Sequence, residues 1–344
     1  MFLNLGYSNE WWYANHGFSF DEELYRDPLR KLTVQHRMDE LLREKFAKWD
    51  FLEHLEDTSV LSRPSVDIEP FGHRFIPAMF DVPVCYAKDQ APWASTIRLD
   101  DDFIMSLEPL APEAFANDPR VGEIVRQHTL LKTKGHTCST QQNLGSVMNS
   151  AIYMRGMDLF YDFNDRPELV HKLFDLITNA MLLSYDYFSE IDGCRAPLGV
   201  GNCSVAMLSP KIYREFCYPY DLRIMEHAKK CNVSFAVHQD SCIDAFIPVY
   251  KNAFDSLLSF DIGGDSNVRL FREAFPNLMI NVFIYTSVLR TLTAGQLYDL
   301  ILRLAEEGQP YSQIGFSVYD IDPQVGDEKI ESICDAYALL KAKE

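Results

Sequence analysis

The chain has 344 residues, 47% of them hydrophobic and 24% charged, which is enough to bury the core of one large domain. Its net charge of −18 opposes binding to nucleic acid and to anionic lipid, so neither is an expected partner. No apolar stretch approaches the roughly 20 residues that span a bilayer, and the first residues do not have the pattern of a signal peptide. Eight scattered cysteines indicate reduced thiols, and a cytoplasmic enzyme is expected.

Residues 1–70 are predicted to form a helical N-terminal extension, or lid, on the main domain. From Phe18 to about Leu55 the pattern is charged and amphipathic, with apolar residues near helical spacing. Trp11, Trp12 and Tyr13 precede this segment and are flanked by asparagine and glycine, which favours a loop. These rings are expected either to cover a bound substrate or to pack the extension onto the main domain.

Residues 71–344 are predicted to form a (β/α)8 TIM barrel of the α/β class. Short apolar runs predict strands at Ala78–Tyr86, His128–Lys134, Ala196–Val200, Val233–Val237, Ser256–Phe260, Leu278–Phe283 and Gln313–Val318. Helices are predicted at Leu144–Tyr161, Pro167–Ile191, Pro210–Lys230, Ile243–Tyr250, Val268–Ala274, Ala294–Glu307 and Asp327–Lys341. Alternation of this kind is typical of a parallel sheet, and the number of units favours a closed barrel. No glycine-rich phosphate-binding loop opens any of the helices.

Three segments resemble the uroporphyrinogen decarboxylase superfamily. Asn143–Ser146 is followed by a run from Tyr153 to Phe174 that is similar to the family's glycine-containing loop, apolar helix and "dDxPexv" motif. The run LSPKIYREFCYPYDLRI, beginning at Leu208, is similar to "iSPexyrefvlPyxkri". The strand Ser234–His238 stands at the place of "vxxHxCG". The resemblance covers roughly residues 70–340 and implies a (β/α)8 barrel.

The superfamily contains two branches with different chemistry. True decarboxylases bind the carboxylates of a tetrapyrrole through arginines in an "RQAGRY" loop, and no such loop accompanies the expected first barrel strand, Phe75–Cys85. A buried carboxylate without its guanidinium partner costs several kcal/mol, which disfavours porphyrinogen decarboxylation. The other branch consists of zinc-dependent methyltransferases that exchange methyl groups with corrinoid proteins, including subunits of aryl-ether O-demethylases. This resemblance implies zinc in the chain and cobalamin carried by a partner protein.

The metal ligands of that branch are a His-x-Cys pair and a later cysteine. In this chain the pair reads His238-Gln-Asp240, with a thiol two positions further on at Cys242. Zinc accepts imidazole, thiolate and carboxylate, so His238, Cys203 and Cys242 are the expected ligands, with Asp240 as a catalytic residue or further ligand. Cys203 follows another predicted strand and should face the same end of the barrel. The alternative is that His238 lines the pocket without metal and that the thiols are small buried side chains.

The remaining candidates lie at predicted strand ends. Tyr319 and Asp320, with Asp322 nearby, follow the last strand and are expected to act as general base or ligand, alternatively as solvated loop residues. Substrate binding is assigned to five residues: His136, Asn143, Trp11, Trp12 and Asp261. Asp261 and Asp265 flank two glycines that would let a ligand approach the backbone.

Three functional hypotheses follow. The first is a methyltransferase or O-demethylase acting between a small molecule and a corrinoid protein, with a metal at the C-terminal face of the barrel. The second is a metal-independent decarboxylase that needs an arginine at the site, Arg74 or Arg155. The third is a catalytically silent binding barrel. The expected partners are a corrinoid protein, a small-molecule substrate and, as a homodimer, a second copy of the chain.

Overall fold

Ten strands are found in the residues that the computed structural model describes, which are 1–49, 65–251 and 257–343. In chain order they are β1 (Phe2–Tyr7), β2 (Ser65–Asp67), β3 (Val84–Ala87), β4 (Gln90–Ala94), β5 (Thr137–Ser139), β6 (Leu198–Gly201), β7 (Phe235–Gln239), β8 (Leu257–Gly263), β9 (Met279–Tyr285) and β10 (Ile314–Ile321). Residues 50–64 of the predicted extension and Ser256 of a predicted strand lie outside the described residues. Within the described part, no helix has the length and apolar character needed to cross a membrane.

One compact unit consists of Met1–Phe18, Asn202–Pro210 and Ser234–Glu344. Its described strands form a sheet in the order β1-β10-β9-β8-β7, and each neighbouring pair is parallel. Its helices are Asn9–His16, Ile247–Lys251, Val268–Ala274, Thr286–Thr291, Ala294–Glu307 and Asp327–Lys341. Single 3₁₀ turns occupy Cys203–Met207, Asp244–Phe246 and Tyr311–Gln313. Parallel neighbours require crossover connections, and the helices after β7, β8 and β9 supply them.

The sheet has one apolar face and one polar face because side chains alternate along each strand. In β9, Ile280, Val282 and Ile284 are almost completely buried on one face, and Asn281 lies on the other. Five polar side chains define the other face. Asp261 on β8 is the register partner of both His238 on β7 and Asn281 on β9, Asn4 on β1 is the register partner of Ser317 on β10, and Ser317 is hydrogen-bonded to Asn281. This face positions the candidate site.

The second unit consists of Ser19–Gly201 and Lys211–Val233. Its described strands include a parallel pair, β2 with β5, and an antiparallel hairpin, β3 with β4. Its helices are Glu22–Arg26, Pro28–Lys45, Phe75–Met79, Asp101–Ser106, Pro112–Ala116, Pro119–Thr133, Val147–Arg155, Asp158–Asp165, Pro167–Asp192 and Tyr218–Cys231, with a 3₁₀ turn at Gly72–Arg74 and a π-helical turn at Tyr213–Cys217. The longest of them, Pro167–Asp192, buries an apolar stripe along the unit's core.

The N-terminus differs from the prediction. Phe2–Tyr7 is an edge strand of the parallel sheet, where an extension of helices was expected. Trp11 and Trp12 lie in a helix, Asn9–His16, and not in a loop, because Ser8 caps the helix and Gly17 ends it in the left-handed conformation. The predicted helices beyond Phe18 are confirmed as Glu22–Arg26 and Pro28–Lys45. The division at residue 70 itself remains a prediction.

Two predicted strands are wrong. Ala78–Tyr86 begins as the helix Phe75–Met79, turns at Asp81 with φ +61° and enters β3 only at Val84. His128–Lys134 belongs to the helix Pro119–Thr133, which Asp118 caps and proline opens. A short apolar run can form either a helix or a strand, because its composition is the same in both. The capping residues upstream of the run decide which of the two forms.

From β6 onward the predicted alternation is confirmed. Three helices have the predicted bounds, namely Val268–Ala274, Ala294–Glu307 and Asp327–Lys341. The predicted helix Leu144–Tyr161 is divided at Gly156, whose φ is +68°. The predicted helix Pro210–Lys230 runs through Pro210–Ile212, the π-helical turn and Tyr218–Cys231.

Candidate active site

His238 lies near the C-terminal end of β7 between two carboxylates. Its Nδ1 atom is 2.8 Å from Oδ2 of Asp261, its register partner on β8. Its Nε2 atom is 3.6 Å from Oδ2 of Asp240. An imidazole that donates through Nδ1 to Asp261 presents Nε2 toward Asp240, which fixes both the ring orientation and the tautomer of the neutral form.

Cys203 lies close to both His238 and Asp240. It begins the 3₁₀ turn Cys203–Met207, and the backbone amide of Asn202 donates to the carbonyl of His238 at 2.6 Å, which fastens this turn to β7. One ligand atom from each of Cys203, His238 and Asp240 lies within 4.8 Å of the other two. The thiol, the imidazole and the carboxylate therefore converge on one point.

The charges of this group are strongly coupled. Burial alone would lower the pKa of His238, but hydrogen bonds with Asp240, Asp261 and Cys203 outweigh burial and raise the pKa to about 12. Burial alone would raise the pKa of Asp240, but hydrogen bonds with His238 and Tyr285 lower it to about 2. The hydroxyl of Tyr285 donates to the backbone carbonyl of Asp240. Without a metal, the site therefore holds an imidazolium between carboxylates.

The donor set fits the zinc ion that the sequence resemblance implies. A thiolate, an imidazole and a carboxylate are all zinc ligands, and three protein ligands leave the fourth tetrahedral position for a substrate. The hydrogen bond from Nδ1 of His238 to Asp261 is the outer-shell contact that orients metal-binding histidines. Cys203, His238 and Asp240 are accordingly the residues that would hold the metal.

A row of hydrogen bonds extends from Asp261 across the polar face. The side-chain amide of Asn281 donates to Asp261 at 3.1 Å, the hydroxyl of Ser317 donates to Asn281 at 3.0 Å, and Asn4 donates to Ser317 at 3.4 Å. These three residues come from β9, β10 and β1 and were missed in the sequence. Their signal is a single polar residue inside an apolar strand, as in MINVFIY and FLNLGY.

Two aromatic rings adjoin the imidazole. Phe283 packs edge-on against His238 with ring centroids 4.8 Å apart, and Tyr319 stacks on Phe283 at 5.3 Å. Tyr319 is 42% exposed. A β-bulge near the end of β10 sets its position, since the pairing of β1 with β10 shifts register around Gly6. A Cβ atom on Gly6 would lie 2.9 Å from the Tyr319 ring, so this close approach requires glycine.

The other candidates at the end of β10 and after β7 differ in their surroundings. Asp320 adopts a left-handed φ of +55°, and burial, together with the negative charge of Asp240, raises its pKa. Asp322 is buried and paired with Arg290. Cys242 has an exposed thiol and is not part of the group formed by Cys203, His238 and Asp240. Of the predicted thiol ligands, only Cys203 joins His238.

The two glycines at the end of β8, Gly263 and Gly264, have a different role from the expected one. A Cβ atom on Gly263 would lie 2.7 Å from the backbone of Ser241, and one on Gly264 would lie 2.9 Å from the carbonyl of Phe283. Their close approach is therefore to the chain's own backbone, which packs the ends of β7, β8 and β9 together.

Four other residues assigned to substrate binding make local contacts within their own units. Trp11 and Trp12 are buried and pack against the ring of Tyr7, with centroids 4.2 and 6.1 Å away. His136 follows a helix and not a strand, and its amide donates to the carbonyl of Leu131. The side chain of Asn143 accepts a hydrogen bond from the amide of Gly145, which shapes the loop before Val147–Arg155.

The two arginines of the decarboxylase hypothesis have contacts of their own. Arg155 is buried and donates to Asp162, Asp101 and the carbonyl of Leu99. Its guanidinium is thus engaged in holding helices together. Arg74 lies over the ring of Tyr153 at 5.0 Å.

Comparison with known proteins places these features in a family. The family model for uroporphyrinogen decarboxylase (URO-D) matches residues 68–274, more than half of the chain. Among solved structures, a methyltransferase from Methanosarcina mazei is similar with a TM-score of 0.60 and 11% identity, and the match covers 83% of each chain. No curated protein matches the sequence significantly. The family and the (β/α)8 fold, both predicted from the sequence, are confirmed.

Proposed function

The chain belongs to the uroporphyrinogen decarboxylase family, and we propose that it is a methyltransferase that moves a methyl group between a small substrate and a corrinoid protein. The proposed centre is a zinc ion held by Cys203, His238 and Asp240. The observation that carries the proposal is the convergence of these three donors, with Asp261 fixing the far side of the imidazole. The methyltransferase from Methanosarcina mazei has the same fold and supports this choice within the family.

Methyl transfer from an ether or thioether breaks one C–O or C–S bond, and the leaving atom keeps the electron pair. The methyl group would bond to the cobalt(I) of the corrinoid partner, which supplies the electron pair of the new bond. Zinc at this position would supply a Lewis acid that stabilises the negative charge on that atom. Asp261 holds His238 in place throughout, because its carboxylate accepts from Nδ1. We assign to Asp320, whose pKa is raised by burial and by the negative charge of Asp240, the role of giving or taking the proton of the leaving atom.

An aryl methyl ether is the preferred substrate in this proposal. The half-exposed ring of Tyr319 is stacked on the buried ring of Phe283 next to His238, and it offers an aromatic surface against which a substrate ring would stack. This surface takes over the role that the sequence assigned to Trp11 and Trp12, whose side chains are buried.

The corrinoid partner, the homodimer and the cytoplasmic location belong to the same proposal. All eight cysteines are free thiols, which supports a reducing compartment. The decarboxylase alternative has less support, because Arg155 is committed to Asp101 and Asp162. Arg74 then remains as its candidate.

The test combines metal analysis with a methyl-transfer assay. Protein purified without added metal is analysed for zinc and then incubated with an aryl methyl ether and cob(I)alamin, whose methylation is followed by absorbance. We expect zinc bound at the centre and methylation of the cobalamin. His238→Ala or Cys203→Ser should lower the zinc content by one ion per chain and abolish the methylation. Cys242→Ser is the matched control and should retain both. A chain whose zinc content and activity are unchanged by His238→Ala would overturn the proposal.

A further inference from the structure

A second group of metal-ligand side chains lies on two helices of the other unit. Asp186 belongs to the helix Pro167–Asp192, and His227 and Cys231 belong to the helix Tyr218–Cys231. Nε2 of His227 is 3.0 Å from Oδ1 of Asp186. The carboxylate, imidazole and thiol each offer one atom within 4.8 Å of the other two.

The sequence builds this group by helical spacing. His227 and Cys231 are four residues apart, so their side chains occupy one face of the helix, one turn from each other. The two helices pack together, and the ring of Tyr185 lies edge-on to His227 with centroids 5.9 Å apart. His227 is 21% exposed, so the donors are partly shielded and still reachable from solvent.

The spacing of the donor atoms suits a small divalent ion. Zinc bonds of about 2.0–2.3 Å in a tetrahedron place neighbouring ligand atoms roughly 3.5 Å apart. The donors therefore need only small rotamer changes to meet this geometry. Thiolate and imidazole together favour zinc and related transition ions over magnesium or calcium.

The guanidinium of Arg195 contacts two of these three donors, Asp186 and Cys231, as a bound metal ion would. Its Nη1 atom is 3.3 Å from Oδ1 of Asp186 and is also in contact with Sγ of Cys231. Arg195 is 40% exposed, so its long side chain can move into solvent. A divalent ion bound by the carboxylate and the thiolate would replace the charge that the guanidinium supplies.

We propose that Asp186, His227 and Cys231 form a second divalent metal site, selective for zinc and similar transition ions, from which Arg195 must withdraw when the ion binds. The site joins the two helices and is separate from Cys203, His238 and Asp240. Bound metal would stabilise the folded chain, since binding to the native state alone raises the free energy of unfolding.

The test uses a chain in which the first centre has been removed by Cys203→Ser and His238→Ala. Zinc and cobalt(II) are titrated into this variant, and binding is followed by calorimetry and by the thiolate-to-cobalt charge-transfer absorption. We expect one ion per chain and a rise in Tm with zinc. Adding Cys231→Ser should abolish the charge-transfer band of cobalt(II) and lower the affinity for zinc at least tenfold.

Two further variants separate a metal site from a chance cluster. Arg195→Gln removes the competing cation, so zinc affinity should increase at least tenfold. Cys194→Ser changes an exposed thiol nearby in sequence and should leave affinity unchanged. Three outcomes would each overturn the second site and leave the proposed function unaffected. They are no zinc binding in the Cys203→Ser/His238→Ala variant, a zinc affinity unchanged by Cys231→Ser, and a zinc affinity lowered by Arg195→Gln.

Discussion

Nδ1 of His238 and Oδ2 of Asp261 are 2.8 Å apart and belong to paired positions of neighbouring parallel strands. The register of β7 with β8 therefore sets which imidazole nitrogen is left for a metal. Histidine ligands depend on such outer contacts for both orientation and basicity.

Asp261→Asn should weaken zinc binding at the first centre by about 10- to 100-fold, as is usual when the outer-shell partner of a metal-binding histidine is replaced. The fold should be retained because asparagine has the same shape. Competition with a chromogenic chelator measures the affinity. Asp299→Asn, in an exposed position of Ala294–Glu307, is the control. Equal affinities of the two variants would contradict a positioning role for Asp261.

His238 should remain protonated in the metal-free protein well above neutral pH. Its raised pKa of about 12 lies above the ordinary value of 6.5. Its contribution to stability should thus be complete below about pH 6.5 and be lost as the pH rises toward 12. Heteronuclear NMR of the imidazole nitrogens should show an imidazolium at pH 9. Asp261→Asn should lower this pKa, and a neutral ring at pH 7 in the unaltered chain would refute the expectation.

Zinc binding to the first centre should release protons and strengthen as the pH rises. The metal displaces the proton of the imidazolium and requires Cys203 as a thiolate. Calorimetry in buffers of different ionisation enthalpy gives the number of protons released, and we expect at least one. The same titration with Cys242→Ser should give the same number, whereas Cys203→Ser should reduce it. A pH-independent affinity would be inconsistent with these ligands.

Asn281→Ala should destabilise the fold by about 1–3 kcal/mol. Asn281 is 7% exposed and lies between Asp261 and Ser317, whose hydrogen-bonding groups would lose their partner in a buried position. Urea unfolding gives the change in free energy. Asn277→Ala replaces an exposed asparagine just before β9 and should have little effect. If both substitutions cost the same, the row of hydrogen bonds has no special role.

Gly6→Ala should displace the ring of Tyr319. It should reduce the activity toward an aromatic substrate and leave the free energy of unfolding nearly unchanged. The added methyl group would lie 2.9 Å from the ring, which must leave its stacked position on Phe283. Turnover and KM measured with an aromatic and a non-aromatic methyl donor provide the check. Gly122→Ala is the control, because open space surrounds that helical glycine and alanine should stabilise the helix by about 1 kcal/mol.

The sequence by itself determined the family, the α/β class and most elements from Leu198 onward. Those strands are apolar runs bounded by helices with clear caps, such as Thr293 before Ala294–Glu307, so local pattern and final structure agree. It also selected His238, which directly follows one predicted strand, and Cys203, which lies three residues after the end of another. Before β6 the elements are shorter, and Ala78–Tyr86 and His128–Lys134 were assigned the wrong period.

Only the tertiary structure decided which polar groups meet. Asp240 and Cys242 follow His238 by two and four residues, and the turn after β7 directs the carboxylate to the imidazole and leaves the thiol exposed. Asp261, Asn281 and Ser317 come from three different strands, and their contacts depend on the register of parallel neighbours. Pairing across strands is a non-local property, set by the packing of the apolar face on the opposite side of the sheet, and it therefore cannot be obtained from spacing along the chain.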